Sequence, residues 1–89
     1  MSLEDGHVEV QQWVTFRELD QRNGWTKGTA FKRFKAVNRS LDEGVDFKHL
    51  DARRDGAEIE ALRLSQRVYA STVNAVLLSV RVASTLEQV

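Results

Sequence analysis

Two stretches of the chain place apolar side chains at helical spacing on either side of a glycine. The first begins at Thr15, and Glu18 three residues later completes a capping box, in which each side chain bonds the other residue's backbone amide. It is predicted to end near Gly24, since glycine readily adopts the left-handed conformation that closes a helix. A second helix is predicted over 27–37 with Thr26 as its cap. Two helices joined by a short glycine-containing turn indicate a helix-turn-helix.

Beyond Gly44 the apolar period changes from helical to alternating. Val45, Phe47 and His49 alternate with polar residues, which predicts a strand. A turn is predicted at 51–56, and the two-residue spacing of Leu62, Leu64 and Val68 predicts a second strand that completes a hairpin with a basic tip. In a strand, Ile59 and Ala61 would point to the face opposite to Leu62 and Leu64. A partly helical 57–64 is therefore the alternative.

The last stretch, from Ser71 or Thr72 to Leu86, returns to helical spacing and predicts a terminal helix, although its valines also suit a strand. Its apolar surface is large for a monomer to bury, so we expect a homodimer through this helix. Together the elements predict an α+β fold: a winged helix-turn-helix with a small β-hairpin and a C-terminal helix. Residues 1–10 are predicted to be a flexible lead-in, and 11–89 to form one domain.

Composition narrows the classes of protein that fit this pattern. The 89 residues include no cysteine and no proline, so neither a disulfide nor a thiolate metal site reinforces the core. The start, 1–7, lacks the basic and apolar runs of a secretory signal. No stretch approaches the roughly 20 apolar residues of a membrane span. We expect a cytoplasmic protein with no membrane partner.

The zero net charge conceals an uneven distribution of charge. The stretch 26–39 holds five basic residues and no acidic one. At about 100° per residue, Lys35, Arg39 and Lys32 lie about 40°, 80° and 100° from Phe31, whereas the apolar side chains cluster between about 240° and 300°. Those apolar side chains are Ala30, Phe34 and Val37. A recognition helix needs this split, because one face packs on the core while the other enters the major groove. The alternative is the solvated face of an ordinary amphipathic helix.

The predicted DNA contacts form three groups. In or beside the major groove we place Lys32, Lys35 and Arg39. At the helix start, where free amides and hydroxyls can bind phosphate, we place Thr26, Lys27 and Thr29. At the tip of the hairpin, as a wing, we place Arg53 and Arg54. The aromatic residues Trp13, Phe31 and Phe34 are predicted to be buried together in the core.

No arrangement of residues predicts catalysis, a cofactor or a metal site. His7 and His49 are far apart in sequence and have no ligand spacing. The carboxylate pairs fall in predicted turns or on a solvent face, and the serines lack a nearby histidine that could activate them. We therefore expect a protein that is not an enzyme, with no small-molecule substrate.

The order of these elements resembles that of small winged-helix DNA-binding proteins of the excisionase and MerR-like type. The resemblance covers the first helix at 13–19, the recognition helix at 26–37 and the arginines at 53–54. Residues 41–47 are similar to an L-x-E-G-x-D-F stretch of phage antirepressor-type DNA-binding domains. The resemblance implies a transcriptional regulator or recombination accessory factor of a mobile element. The alternative function is a protein-interaction module, an antirepressor or adaptor, which docks through its apolar C-terminal helix.

Overall fold

The computed structural model describes residues 13–88, which form a small α+β fold of four α-helices and a three-stranded antiparallel sheet. The predicted lead-in at 1–10 lies outside the described residues. In chain order the elements are β1 (Val14–Thr15), α1 (Phe16–Arg22), α2 (Thr29–Val37), β2 (Phe47–Leu50), α3 (Gly56–Leu64), β3 (Ala75–Leu78) and α4 (Val80–Gln88), with a short 3₁₀ turn at Asn38–Ser40 after α2.

The central strand of the sheet is β3, which pairs with β1 on one side and β2 on the other. Successive strand side chains point to opposite faces, and β3 is apolar on both. Leu78 belongs to a core cluster with residues of the first two helices and α4, whereas Leu77 packs with Ile59 and Leu62 of α3. The sheet therefore separates two small apolar cores, and β3 contributes to both.

The first predicted helix and the glycine turn after it are confirmed. The Thr15 hydroxyl accepts a hydrogen bond from the Glu18 amide at 3.1 Å, and the Glu18 carboxylate accepts one from the Thr15 amide at 2.9 Å. Helix α1 ends at Arg22, and Gly24 adopts a φ of 65° just beyond it. The capping box and the glycine thus form as the local sequence dictates.

The beginning of α2 differs from the prediction. The helix starts at Thr29 rather than at 27, and Thr26 does not cap it through its side chain. Gly28 precedes the helix with a φ of 94°, a conformation that other residues rarely adopt. The cap comes from a distant residue, Asp20 of α1, whose carboxylate accepts hydrogen bonds from the Gly28 and Ala30 amides.

The predicted hairpin, with strands at 45–49 and 58–69, is wrong, and the alternative of a helix near 57–64 is confirmed. Ile59 and Leu62, three residues apart, are both buried on one face of α3, while Leu64 is 76% exposed. The partner of β2 is β3, more than twenty residues further along the chain. Asp55 helps to make the turn before α3, because its carboxylate accepts a hydrogen bond from the Asp51 amide.

The predicted helix from 71 to 86 divides into a loop, strand β3 and helix α4. The division falls at Ser79, whose hydroxyl accepts a hydrogen bond from the Val82 amide in the first turn of α4. Most of the apolar surface that suggested a dimer is buried within the domain. Leu77 and Leu78 lie in the sheet, and α4 buries Val82, Ala83 and Leu86 in the core, whereas Val80 at its start is 55% exposed.

The three aromatic residues expected to be buried together are in different surroundings. Phe34 is buried as predicted. Trp13 packs against the other core cluster, and Phe31 is 45% exposed. Phe31 lies at the edge of the apolar face of α2, so the sequence pattern placed it correctly on the helix but not in the core.

A partly buried ion pair joins the start of the domain to the segment after α3. The Arg67 guanidinium donates to the Glu18 carboxylate at 2.8 and 3.2 Å and to the Trp13 carbonyl at 2.6 Å. Burial raises the pKa of Glu18, but the hydrogen bonds from Arg67 and from the Thr15 amide outweigh it and hold the pKa below its ordinary value of 4.5.

This ion pair predicts a pH-dependent loss of stability. A lowered folded pKa contributes stability that is present above pH 4.5 and is lost as the pH falls through the folded value. Glu18→Gln keeps an acceptor for the Thr15 amide but removes the charge, so it should cost about 1 kcal/mol at pH 7. In urea unfolding the cost should shrink as the pH falls from 4.5 through the lowered folded pKa. The exposed Glu43→Gln is the control, and an equal pH dependence in both variants would contradict this assignment.

Candidate nucleic-acid interface

Helix α2 presents a basic face to solvent and an apolar face to the core, as the sequence predicted. Ala30 and Phe34 are buried against α1, α4 and the sheet. The solvent-exposed face and its continuation into the 3₁₀ turn consist of Phe31, Lys32, Lys35, Ala36 and Arg39. Because α2 ends at Val37, Arg39 belongs to the turn rather than to the helix.

The lysines and the arginines of the described chain differ in their partners. Ion pairs join arginines to carboxylates elsewhere on the domain: Arg22–Glu87, Arg54–Asp55, Arg63–Glu60, Arg67–Glu18 and Arg81–Asp46. Within residues 13–88, no lysine forms an ion pair with a carboxylate. Three of the four lysines, Lys27, Lys32 and Lys35, lie on α2 or directly before it. Their positive charge is therefore not neutralised by the described part of the chain.

The remaining basic residue of α2, Arg33, faces inward. Its guanidinium lies over the Trp25 ring, 4.2 Å from the ring centroid, and donates to the Leu86 carbonyl at 2.9 Å. This side chain connects α2 with α4. Arg33 therefore helps to fix the position of α2 on the domain. The charged side chains on the outer face of α2 are lysines.

The start of α2 is occupied by a buried carboxylate. Asp20, only 1% exposed, accepts hydrogen bonds from the Gly28 amide at 2.9 Å, the Ala30 amide at 2.8 Å and the Tyr69 hydroxyl at 2.6 Å. The prediction of free amides for phosphate at this helix end is wrong for Gly28 and Ala30, since an internal anion already binds them. The phosphate contacts predicted here must come from side chains.

Tyr69 joins this helix end to the basic residues around it. The Lys27 ammonium lies 4.9 Å from the Tyr69 ring centroid, and the Arg17 guanidinium lies 5.8 Å from it. Burial and the hydrogen bond to Asp20 raise the pKa of Tyr69 to about 12, so its hydroxyl remains a donor at neutral pH. Tyr69 therefore lies between the buried anion and the surface cations.

The two threonines near the helix start have different surroundings. The Thr29 hydroxyl donates to the Thr26 carbonyl at 2.7 Å, whereas the Thr26 side chain is exposed. Lys27 is exposed beside them. These three residues lie together at one end of the basic face, as the sequence predicted, although the Thr29 hydroxyl is already engaged.

The two arginines expected at a hairpin tip lie instead in the turn between β2 and α3. The Arg54 side chain is exposed but bonded to its own domain, since its guanidinium donates to the Asp55 carboxylate and to the His49 carbonyl, both at 2.9 Å. Arg53 is exposed, and its amide donates to the Asp51 carboxylate. Because residues 58–69 do not form the returning strand, the predicted wing is absent from this position.

A groove of about 430 Å³ runs beside α2, between the helix and the segment that leads into β3. Its buried members are Thr15, Phe34, Val68 and Ala75, and the exposed ones include Phe31, Lys35 and His49. No aspartate or glutamate of the described chain lines it. The groove thus extends the positive, partly aromatic surface of α2 towards the sheet.

The sequence contained one indication that Phe31 is exposed. On the helical projection Phe31 lies closer to Lys35 than to Phe34, which places it at the boundary of the two faces. The roles of Asp20 and Tyr69 had no local indication, because their partners are eight to ten and forty-nine residues away in the chain.

The buried carboxylate should be the main determinant of how α2 is attached. Asp20→Ala should lower the free energy of unfolding by about 3 kcal/mol, because two buried amides lose a charged acceptor. Tyr69→Phe removes one of the three bonds and should cost about 1.5 kcal/mol. Urea unfolding measures both, with the exposed Asp42→Ala as control. A cost for Asp20→Ala no larger than that of Asp42→Ala would contradict this role.

Comparison of the chain with protein-family models, with curated proteins and with solved structures finds no match. In residues 13–88 no group of three or more histidine, aspartate or glutamate side chains is arranged to hold a metal ion. Over the same residues, none of the helices has the length and apolar character to cross a membrane. The interpretation of the site therefore depends on its geometry and charge.

Proposed function

We propose that the protein binds double-stranded DNA, with α2 as its recognition helix. The observation that carries this proposal is the set of lysines on α2, which are exposed, share one face and have no carboxylate partner among residues 13–88. DNA phosphates supply the negative charge that the described chain does not. An α-helix with its side chains is about 10–12 Å across, which fits a major groove about 12 Å wide.

In this proposal Lys32, Lys35 and Arg39 lie in or beside the major groove. Lys27 and the Thr26 hydroxyl contact phosphate at the helix start. The Thr29 hydroxyl would have to exchange its bond to the Thr26 carbonyl for one to phosphate. Arg53 is exposed and remains a candidate for a backbone contact, whereas Arg54 would have to exchange its bonds to Asp55 and His49 for a bond to DNA.

The order of a helix pair, an antiparallel strand pair and a further helix supports assignment to the winged helix-turn-helix class. The connection between the paired strands contains α3 in place of a short turn, so any wing would differ from a simple hairpin. A regulator or recombination accessory factor of a mobile element is the role that the sequence resemblance implies. The alternative, a module that docks through its C-terminal helix, has less support because α4 buries three of its four apolar side chains and exposes only Val80.

A salt titration tests the proposal. If Lys27, Lys32, Lys35 and Arg39 each neutralise one phosphate, the logarithm of affinity should fall with the logarithm of salt concentration with a slope of about −3.6. Fluorescence anisotropy on mixed duplex fragments measures the slope. The double variant Lys32→Gln with Lys35→Gln should flatten it by about two units while leaving the fold unchanged, since both side chains are exposed.

The control matches the change in net charge at a different place on the surface. Ala57→Glu with Leu64→Glu also lowers the net charge by two, at exposed positions on α3. This variant should retain nearly the slope and affinity of the unmodified protein. Equal losses in the two double variants would show that only net charge matters, and DNA binding that is unchanged in the lysine variant would contradict the proposal.

A further inference from the structure

The exposed face of α2 has an aromatic ring among its basic residues. Phe31 is 45% exposed, and its neighbours on the helix surface include Lys32 and Lys35. A half-exposed phenylalanine leaves apolar area in water that only a partner can bury further. Among the large apolar residues of α2, Phe34 is buried in the core and Val37 is partly buried, so Phe31 is the one that the domain leaves available.

The ring is exposed but not free to turn away. The Phe16 ring packs against it in a T-shaped arrangement, with ring centroids 5.6 Å apart at an interplanar angle of 66°. The Lys35 ammonium lies 5.4 Å from the Phe31 ring centroid. Because these contacts hold the ring before any partner arrives, little side-chain freedom is lost when it is covered.

The major groove offers one apolar group to such a ring. Of the groups that base pairs present there, nitrogen and oxygen atoms are polar, and the 5-methyl group of thymine is the apolar exception. We propose that Phe31 binds the 5-methyl group of a thymine in the target site. This inference rests on the proposed function, since it requires α2 to lie in the major groove.

The neighbouring lysine fits the same arrangement. A lysine ammonium is a donor suited to the O6 and N7 acceptors of guanine, and Lys35 lies directly beside the Phe31 ring. A thymine contact at Phe31 and an acceptor contact at Lys35 can therefore be made by neighbouring base pairs. Phe31 would contribute sequence preference, whereas the lysines contribute most of the salt-dependent affinity.

The test uses the unmodified protein and a duplex selected by it from a randomised pool. Each thymine in the selected site is replaced in turn by uracil, which removes the 5-methyl group and keeps every hydrogen-bonding atom. One replacement should weaken binding about fourfold, the effect of losing one buried methyl group. Replacements outside the selected site should have no effect and serve as the internal control.

A variant then assigns the methyl effect to its residue. In Phe31→Ala the sensitive thymine and its uracil replacement should bind equally, whereas Phe31→Leu should retain part of the preference. Leu64→Ala, an exposed apolar truncation on α3, should keep the full fourfold effect. Circular dichroism verifies that each variant is folded, and Phe31→Leu provides the test if the alanine variant is not.

The outcomes separate this inference from the proposed function. No binding to any duplex overturns both. Salt-dependent binding with no thymine in the selected site, or with no effect of uracil at any position, overturns the role of Phe31 and leaves the DNA-binding proposal standing. A methyl effect that persists unchanged in Phe31→Ala assigns it to another group, such as the exposed Ala36, and also overturns the inference.

Discussion

The position of α2 depends on the carboxylate of Asp20. One buried anion binds two amides at the start of α2 and the hydroxyl of Tyr69, so it joins α1, α2 and the segment after α3. Its negative charge is favourable at a helix N-terminus, where the amide dipoles point towards it. An unpaired buried carboxylate would be costly, and the three donors offset that cost.

This arrangement also determines which chemistry remains at the surface. Since Asp20 binds the amides of Gly28 and Ala30 from inside, those groups are not available to a phosphate. The outer face of α2 is therefore a surface of side chains, namely Phe31, Lys32, Lys35 and Ala36. A charge-neutral protein can thus present a positive face, because its carboxylates are used mainly in internal contacts with arginines and amides.

The elements specified by neighbouring residues were predictable from the sequence. The capping box of α1 and the Gly24 turn involve partners within a few residues, and the two faces of α2 follow from helical geometry. The split of α2 into a lysine face and a core face was the part of the site that the sequence predicted best. Phe31 was predicted to lie in the core, but it lies at the boundary between the two faces of α2 and is partly exposed.

The elements that depend on distant partners were not predictable in the same way. Leu62, Leu64 and Val68 share a two-residue spacing, but Ile59 and Leu62 share a helical face, and only the position of β3 decides between the two. The central place of β3 makes its apolar residues suitable for both faces of the sheet, which removes the alternation typical of a half-buried strand. The Asp20 cap of α2 spans at least eight residues and has no local pattern.

Arginines and lysines have different roles in this domain, and the difference relates the fold to the proposed interface. Guanidinium groups have several donors in a fixed plane, which suits the two-point contacts of Arg22 with Glu87 and of Arg67 with Glu18. An ammonium group is a compact, hydrated point charge on a flexible chain, better suited to a partner whose phosphates recur along a surface. In this domain arginines hold distant segments together, and lysines gather on α2. The same preference explains why Arg33, although part of α2, contacts Trp25 and α4 rather than extending the basic face.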